Sequence, residues 1–336
     1  MRVLIVKTSS MGDVIHTLPA LTDARRHHPE IVFHWVVEKG FAEIPAWHPA
    51  VNKVLPIEWR RWRKNLWQHK GELRAALMAI RTTHYDLIID AQGLWKSALL
   101  ARCAKGKCVG YDPQSSREEG VNWLYQQEYP VAKGEHAVER IRQLFALALD
   151  YPVPTDLPDY GIAQHFSVIK QTKPYVVFLH NTTWNSKLYP EAYWIELGKL
   201  ANQAGFHVKF TSGNAEEKAR ADRLAAPLED AEALSRLSIL EAGQLLRNAS
   251  GAVAVDTGFG HLCAALALPC VSIYGSSNPK LTSTNGKNQH HLHAQFECAP
   301  CMLKECNHPC KNNAITPPCY QAITPEKVWD SLGLRQ

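Results

Sequence analysis

Three loops in this sequence set acids, hydroxyls and lysines just past short apolar runs, where a parallel sheet would present them. The first is Lys7-Thr8-Ser9-Ser10-Met11-Gly12-Asp13, after the run Val3–Val6. Its small and hydroxyl residues let a ligand approach backbone amides closely. Asp13 opens a helical pattern carried by Val14, Leu18 and Leu21. In that place it faces the cleft of such a fold, and it also reads as a plain helix N-cap. The second loop is Asp256-Thr257-Gly258-Phe259-Gly260-His261, between a β-branched run and a helical one. Amides at a positive helix end suit a diphosphate, and Asp256 can accept hydrogen bonds from sugar hydroxyls. A turn with an Asp cap and a partly buried His261 gives the same pattern. The third is His180-Asn181-Thr182-Thr183 followed by Lys187. A lysine beside a phosphate acts as a point charge and stabilises a departing diphosphate. A solvated surface lysine is the alternative.

Two further segments carry unusual chemistry. Trp59-Arg60-Arg61-Trp62-Arg63-Lys64-Asn65-Leu66-Trp67 interleaves cations with aromatic rings. Nucleic acid, acidic sugars and a membrane interface all fit that pattern, as does an amphipathic surface helix with buried tryptophans. The net charge of +5 is too modest to favour nucleic acid. Near the carboxyl end, Cys298, Cys301, Cys306, Cys310 and Cys319 make up five of nine cysteines. A C-x2-C pair followed by more cysteines can hold a structural zinc through Cys298, Cys301, Cys306 and Cys310, with His308 as a further ligand. The spacing is not that of two C-x2-C pairs, so buried thiols or a stress-formed disulfide remain open. No motif pairs a cysteine with a base.

The elements that position these loops alternate. Strands are expected at Ile31–Val37 and Leu87–Asp90, with helices at Trp95–Arg102 and His136–Leu149. Residues 150–174 are rich in proline and read as a domain crossing. The alternation then restarts, with strands at 175–180, 207–211, 251–256 and 270–274. Helices are expected at 190–204, 215–226, 239–248 and 260–268. Such alternation implies parallel sheets, which bind ligands at the carboxyl ends of their strands. The 336 residues exceed what one hydrophobic core serves, and two sheets place a cleft between domains. Apolar residues at 46% and charged residues at 21% describe an ordinary globular chain. The opening apolar run is too short for a signal peptide, and no run is long enough to span a bilayer. A cytoplasmic protein with reduced cysteines is expected.

The opening Met1–Val14 resembles the lipopolysaccharide heptosyltransferases of glycosyltransferase family nine, their type I branch above all. So do Arg60–Lys64, Asp90-Ala91-Gln92-Gly93 and His136-Ala137-Val138-Glu139-Arg140. Further matches are Thr182-Thr183, Lys187, Gly213 to Arg220, and Asp256-Thr257-Gly258 with His261. The resemblance holds in register to about residue 290. The segment Cys298–Cys319 followed by Ile323–Val328 looks more like other branches of the family.

The resemblance implies an α/β GT-B fold of two Rossmann-like domains with parallel sheets facing a central cleft. Residues 1–160 would bind the acceptor, 161–322 the donor ADP-L-glycero-β-D-manno-heptose, and 323–336 would form a C-terminal helix. The acceptor would be the inner Kdo of Kdo2-lipid A, at the cytoplasmic face of the inner membrane, with peripheral contact by a monomer. The anomeric centre would invert, which takes a base and a stabilised leaving group. Asp13 would be the base. Lys187 and the amides of Thr257 and Gly258 would hold the diphosphate, helped by Thr182 and Thr183. Glu217 would contact the ribose, and Asp256 and His261 the donor. Ser10, Arg60, Arg61, Arg63, Lys64, His136 and Arg140 would meet the acceptor. No Asp-x-Asp stands at a strand end, so no catalytic metal or other cofactor is expected. An already heptosylated acceptor, a nucleotide-sugar epimerase or hydrolase, and a membrane-binding protein without activity are the competing readings.

Overall fold

The computed structural model describes residues 1–309 and 315–334. It divides into two units, Met1–His165 and Phe166–Gln336. The first unit runs β1 (Arg2–Val6), α1 (Met11–Ile15), α2 (Leu18–His27), β2 (Val32–Glu38), α3 (Glu43–Ala46), β3 (Val51–Ile57), α4 (Trp59–Trp62) and α5 (Lys70–Arg81). It continues with β4 (His84–Asp90), α6 (Trp95–Cys103), β5 (Lys105–Tyr111), β6 (Gln127–Tyr129) and α7 (Ala137–Leu149). Its six strands pair in parallel in the order β3-β2-β1-β4-β5-β6. The order reverses direction between β1 and β4, which opens a crevice at their carboxyl ends. Asp90 of β4 lies beside Val6 there.

The helix expected through Val14, Leu18 and Leu21 is two helices. Pro19 stands near the start of α2. Its ring would meet the carbonyl four residues back, so one continuous helix cannot form and the chain restarts at Leu18. One face of the sheet is covered by α4, α5, α6 and a 3-10 turn at Val121–Leu124. Ile80, Ala98, Ala101, Val121 and Trp62 pack there on Leu4, Val6 and Ile88. Helix α5 turns Leu73, Ala76, Leu77 and Ile80 inward at helical spacing.

The second unit repeats the plan. It runs β7 (Tyr175–Leu179), α8 (Glu191–Gln203), β8 (His207–Phe210), α9 (Ala215–Ala225), β9 (Ala231–Ala233) and α10 (Ile239–Arg247). Then come β10 (Gly251–Val255), α11 (Gly258–Ala265), β11 (Cys270–Tyr274), α12 (Pro279–Thr282), β12 (Gln289–His293) and α13 (Pro325–Leu332). The parallel order is β9-β8-β7-β10-β11-β12, the same topology as the first sheet. Strands β7, β10 and β11 are buried along their whole length, as strands covered on both faces must be. Helix α13 belongs to this unit, since Val328 and Leu332 enter its core beside Trp194 and Tyr320. Among the described residues, no helix is long and apolar enough to cross a membrane.

Candidate active site

At the end of β1 the chain turns through Thr8, Ser9 and Ser10 into α1. Gln92, just past β4, grips this turn. Its Oε1 accepts from Thr8 N at 2.7 Å and Thr8 Oγ1 at 2.8 Å, and its Nε2 donates to Ser9 O at 3.1 Å. Gln92 is itself held by Asp90, a fully buried carboxylate. Asp90 Oδ1 accepts from Gln92 N and Gly93 N, and its Oδ2 accepts from Ser97 Oγ and Tyr125 OH. Burial raises the Asp90 pKa from the ordinary carboxylate value.

Asp13 is not the N-cap of α1. Ser10 is, and Asp13 sits at the third helical position as its capping-box partner. Asp13 Oδ2 accepts from Ser10 N at 2.9 Å and Ser10 Oγ at 3.1 Å. Oδ1 accepts from Arg117 at 2.8 Å and lies 3.6 Å from Lys7 Nζ. Partial burial opposes its charge, but Lys7 and Arg117 prevail and hold the carboxyl far below its usual range. Lys7 is buried, its Nζ donating to Ala91 O at 2.9 Å. Desolvation lowers its ammonium to about 8 despite Asp13.

The basic residues expected at the acceptor fall into two groups. Arg140 Nη2 donates to Ser115 O at 2.6 Å, and its guanidinium lies 5.2 Å from the Tyr111 ring. Arg140 and Arg117 both act on Tyr111, which places them together with Asp13. His136 is the N-cap of α7, its Nδ1 accepting from Val138 N, and its ring meets His16 at 5.8 Å. Arg60 lies over Phe41 at 5.5 Å. Arg61 is tied to Glu58 and Glu72, while Arg63 and Lys64 are exposed. Lys96 joins the two groups. It donates to Ser9 Oγ at 3.2 Å and feels Arg60, Arg63 and Asp13.

In the second unit, Lys187 Nζ donates to Asp256 Oδ2 at 2.6 Å and lies 4.2 Å from the Trp184 ring. Thr182 Oγ1 donates to Asp256 O at 3.1 Å. Thr257 is the N-cap of α11 and Gly258 opens it, so the amide end of this helix follows directly on Asp256. His261, one turn along, is buried. Beside this lies a pocket of about 1000 Å³ whose walls include Thr182, Thr183, Asn185, Glu217 and Cys306. Lys187 and Asp256 do not line it; Thr182 connects the two. Glu217 accepts from Gly213 N at 2.7 Å and Asn214 Nδ2 at 3.0 Å, which fixes its carboxylate at the start of α9.

The cysteine-rich segment buttresses this site. Met302 N donates to Ser276 O at 2.8 Å. Ser186 N donates to Lys304 O at 3.0 Å, and Ser186 Oγ donates to Leu303 O. Asn185 Nδ2 donates to Glu305 at 3.0 Å. The turn carrying Lys187 is thus held from outside. Among the described residues no group of three or more cysteines, histidines or acids stands where it could hold a metal ion. Cys310 lies outside the described residues. His308 is paired with Glu297 at 2.6 Å.

The family model for glycosyltransferase family 9 (heptosyltransferase) matches residues 73–312. The chain belongs to that family. It is a heptosyltransferase, and its fold is GT-B. Lipopolysaccharide heptosyltransferase 1 of Pseudomonas aeruginosa is 51% identical to it over 98% of this chain and 96% of that protein. Escherichia coli heptosyltransferase WaaC, solved with ADP, has a TM-score of 0.85 and 47% identity over 88% of this chain and 93% of its own. The same enzyme solved with ADP-2-deoxy-2-fluoro heptose gives 0.83 and 46%, over 88% and 93%. The match to the Pseudomonas protein runs through the cysteine-rich segment, whereas lipopolysaccharide heptosyltransferase 1 of Salmonella typhimurium, 48% identical, is matched over 86% of this chain and 93% of that protein.

Arg117 and Lys96 escaped the sequence reading. Each is a single cation in an unremarkable stretch, and only the approach of β4 and β5 to β1 brings them to Asp13. The Lys187–Asp256 pair was legible only as two separate loops.

Proposed function

We propose that this heptosyltransferase moves L-glycero-D-manno-heptose from ADP-heptose to the inner Kdo of Kdo2-lipid A in lipopolysaccharide inner-core synthesis. The names of its relatives support the donor and the pathway. One observation carries the chemistry: Asp13 is an ionised carboxylate with most of its acceptor capacity already used. A carboxylate offers about four lone-pair positions. Ser10 N, Ser10 Oγ and Arg117 take three, and a position on Oδ1 remains for a substrate hydroxyl.

The acceptor hydroxyl oxygen attacks the anomeric carbon from the face opposite ADP. The new C–O bond forms as the bond to the phosphate oxygen breaks, and ADP leaves with that electron pair. Asp13 takes the hydroxyl proton. Because Lys7 and Arg117 make it a weak base, transfer comes late, when the attacking oxygen has become strongly acidic. Charge on the departing diphosphate is met by Lys187 and by the amides of Thr257 and Gly258 at the start of α11. These groups let the step proceed without a metal ion. Thr182, Thr183, Glu217, Asp256 and His261 orient the donor. Ser10, Arg60, Arg61, Arg63, Lys64, His136 and Arg140 meet the acceptor's carboxylates and phosphates, where Arg geometry is well suited. The enzyme works as a peripheral protein at the cytoplasmic face of the inner membrane.

The test is ADP release from ADP-heptose, with and without Kdo2-lipid A, for wild type and Asp13→Asn. Release should require the acceptor and fall by a factor of about 10² to 10⁴ in the variant, with ADP affinity unchanged. Release without acceptor would sink the transferase reading. Acceptor-dependent release that survives in Asp13→Asn would move the base elsewhere.

A further inference from the structure

The outer surface of the helical layer over the first sheet carries several large exposed apolar side chains. Trp67 is 85% exposed, Trp123 81%, Met78 59% and Leu99 53%. They come from separate stretches of chain. Met78 is on α5, Leu99 on α6, Trp123 on the turn Val121–Leu124, and Trp67 just before α5. Helices α5 and α6 and the Val121–Leu124 turn pack their other faces into one core cluster. Trp95, one turn before Leu99, and Trp123 flank Gly120, with ring atoms 3.3 and 3.7 Å from where its Cβ would stand. Single exposed apolar residues are ordinary, but several large ones on one layer mark a contact surface.

The cations on this layer decide what it contacts. Lys70, Arg74 and Arg81 are exposed along α5 on the side away from the core, in line with Met78. Arg102 is exposed one turn after Leu99. Among the nearby acids, Glu72 is already engaged by Arg61 and the Trp62 indole, and Glu118 by Trp95 N. Glu119 is exposed. Tryptophan, methionine and leucine interspersed with lysine and arginine is the composition of a surface that lies in an anionic bilayer interface.

We propose that this layer, α5, α6 and the Val121–Leu124 turn with Trp67, is the membrane-docking face of the enzyme, and that its partner is a bilayer with anionic headgroups. The inference rests on the lipid-linked acceptor proposed above and adds the surface that brings the enzyme to it. The Arg60–Lys64 segment borders the same layer, through Trp62 in the shared core. Docking would therefore set the acceptor-binding cations at headgroup level.

The test compares wild type with the triple variant Met78→Ser, Leu99→Ser, Trp123→Ser and with the double variant Lys70→Gln, Arg74→Gln. All five residues lie outside the proposed catalytic and binding machinery. Each protein is sedimented with phosphatidylcholine vesicles and with vesicles containing phosphatidylglycerol. Wild type should bind the anionic vesicles alone, and added salt should release it. Both variants should bind at least about tenfold more weakly. Turnover on a deacylated, soluble acceptor and ADP affinity should be unchanged, while turnover on vesicle-embedded acceptor should fall. Wild type that ignores anionic vesicles, or variants that bind them as wild type does, would overturn the proposal. So would a wild-type dimer that the triple variant dissociates, since the face would then be covered by a second copy. Failure to glycosylate even the soluble acceptor would count against the function above, and leaves the vesicle result to be judged by itself.

Discussion

Replacing Lys7 by methionine should make the enzyme more stable and less active. The ammonium is fully buried and lowered from 10.5 to about 8. Below about pH 8 both folded and unfolded chains carry the proton, and burying it costs about 3 kcal/mol, a drop of about 2.5 pKa units at about 1.4 kcal/mol each. Between about pH 8 and pH 10.5 the unfolded chain holds more protons than the folded one, so stability rises with pH through that window. Methionine has similar length and no charge. Its loss of the hydrogen bond to Ala91 O costs about 1 kcal/mol, which leaves Lys7→Met ahead by about 2 kcal/mol near pH 7. The lead should shrink by about 1.3 kcal/mol between about pH 7 and pH 9, as wild type sheds the buried proton. Turnover should fall at least about tenfold, because Asp13 loses one of its two salt-bridge cations and keeps Arg117. Urea unfolding followed by tryptophan fluorescence at several pH values, beside steady-state rates, reads all three quantities. A variant that is less stable near neutrality, or a stability gap that ignores pH, would refute the burial cost assigned to Lys7.

Lys187→Ala should weaken ADP binding by about 10- to 100-fold, the worth of one charged hydrogen bond to phosphate, with Lys187→Arg recovering part of it. Calorimetric titration with ADP checks this, and equal affinity would remove Lys187 from the donor site. Gly110→Ala should destabilise the first unit by about 1 to 3 kcal/mol. Its Cβ would stand 2.4 Å from the Tyr125 ring, whose hydroxyl holds Asp90. An unchanged melting temperature would mean that the ring can step aside.

The sequence announces elements whose side chains are apolar and β-branched. Strands β1, β7, β10 and β11 are such runs, and the loops behind the first three were read as ligand sites. Strand β5 was missed because Gly106 and Gly110 interrupt its pattern, yet Gly110 is there to admit the Tyr125 ring. Strand β3 was missed too; it carries Pro56, which only an edge strand such as this one tolerates. Strand β12 reads as Gln-His-His-Leu-His and has no apolar face to reveal it. At the site, loops were legible and pairings were not. The contacts of Asp13 with Arg117 and of Asn185 with Glu305 span 104 and 120 residues, and no local pattern encodes such a distance.

The supports of the Lys187 turn also set an order of events during synthesis. A chain is made from its amino end, and domains fold as they emerge. The direct partners of Asp13, namely Lys7, Ser10 and Arg117, lie before residue 120, and Tyr125, which holds Asp90, follows soon after, so the first unit can complete this corner before the second half exists. The turn at Asn185–Lys187 emerges early in that second half but waits for its partners. Asp256 comes next, then Ser276, then Leu303, Lys304 and Glu305, and last Tyr320, whose hydroxyl donates to Ser186 O. An unfinished chain therefore carries a formed Asp13 corner and a Lys187 turn without its supports. With the roles proposed for Asp13 and Lys187, sugar-nucleotide turnover requires nearly the whole polypeptide to have left the ribosome.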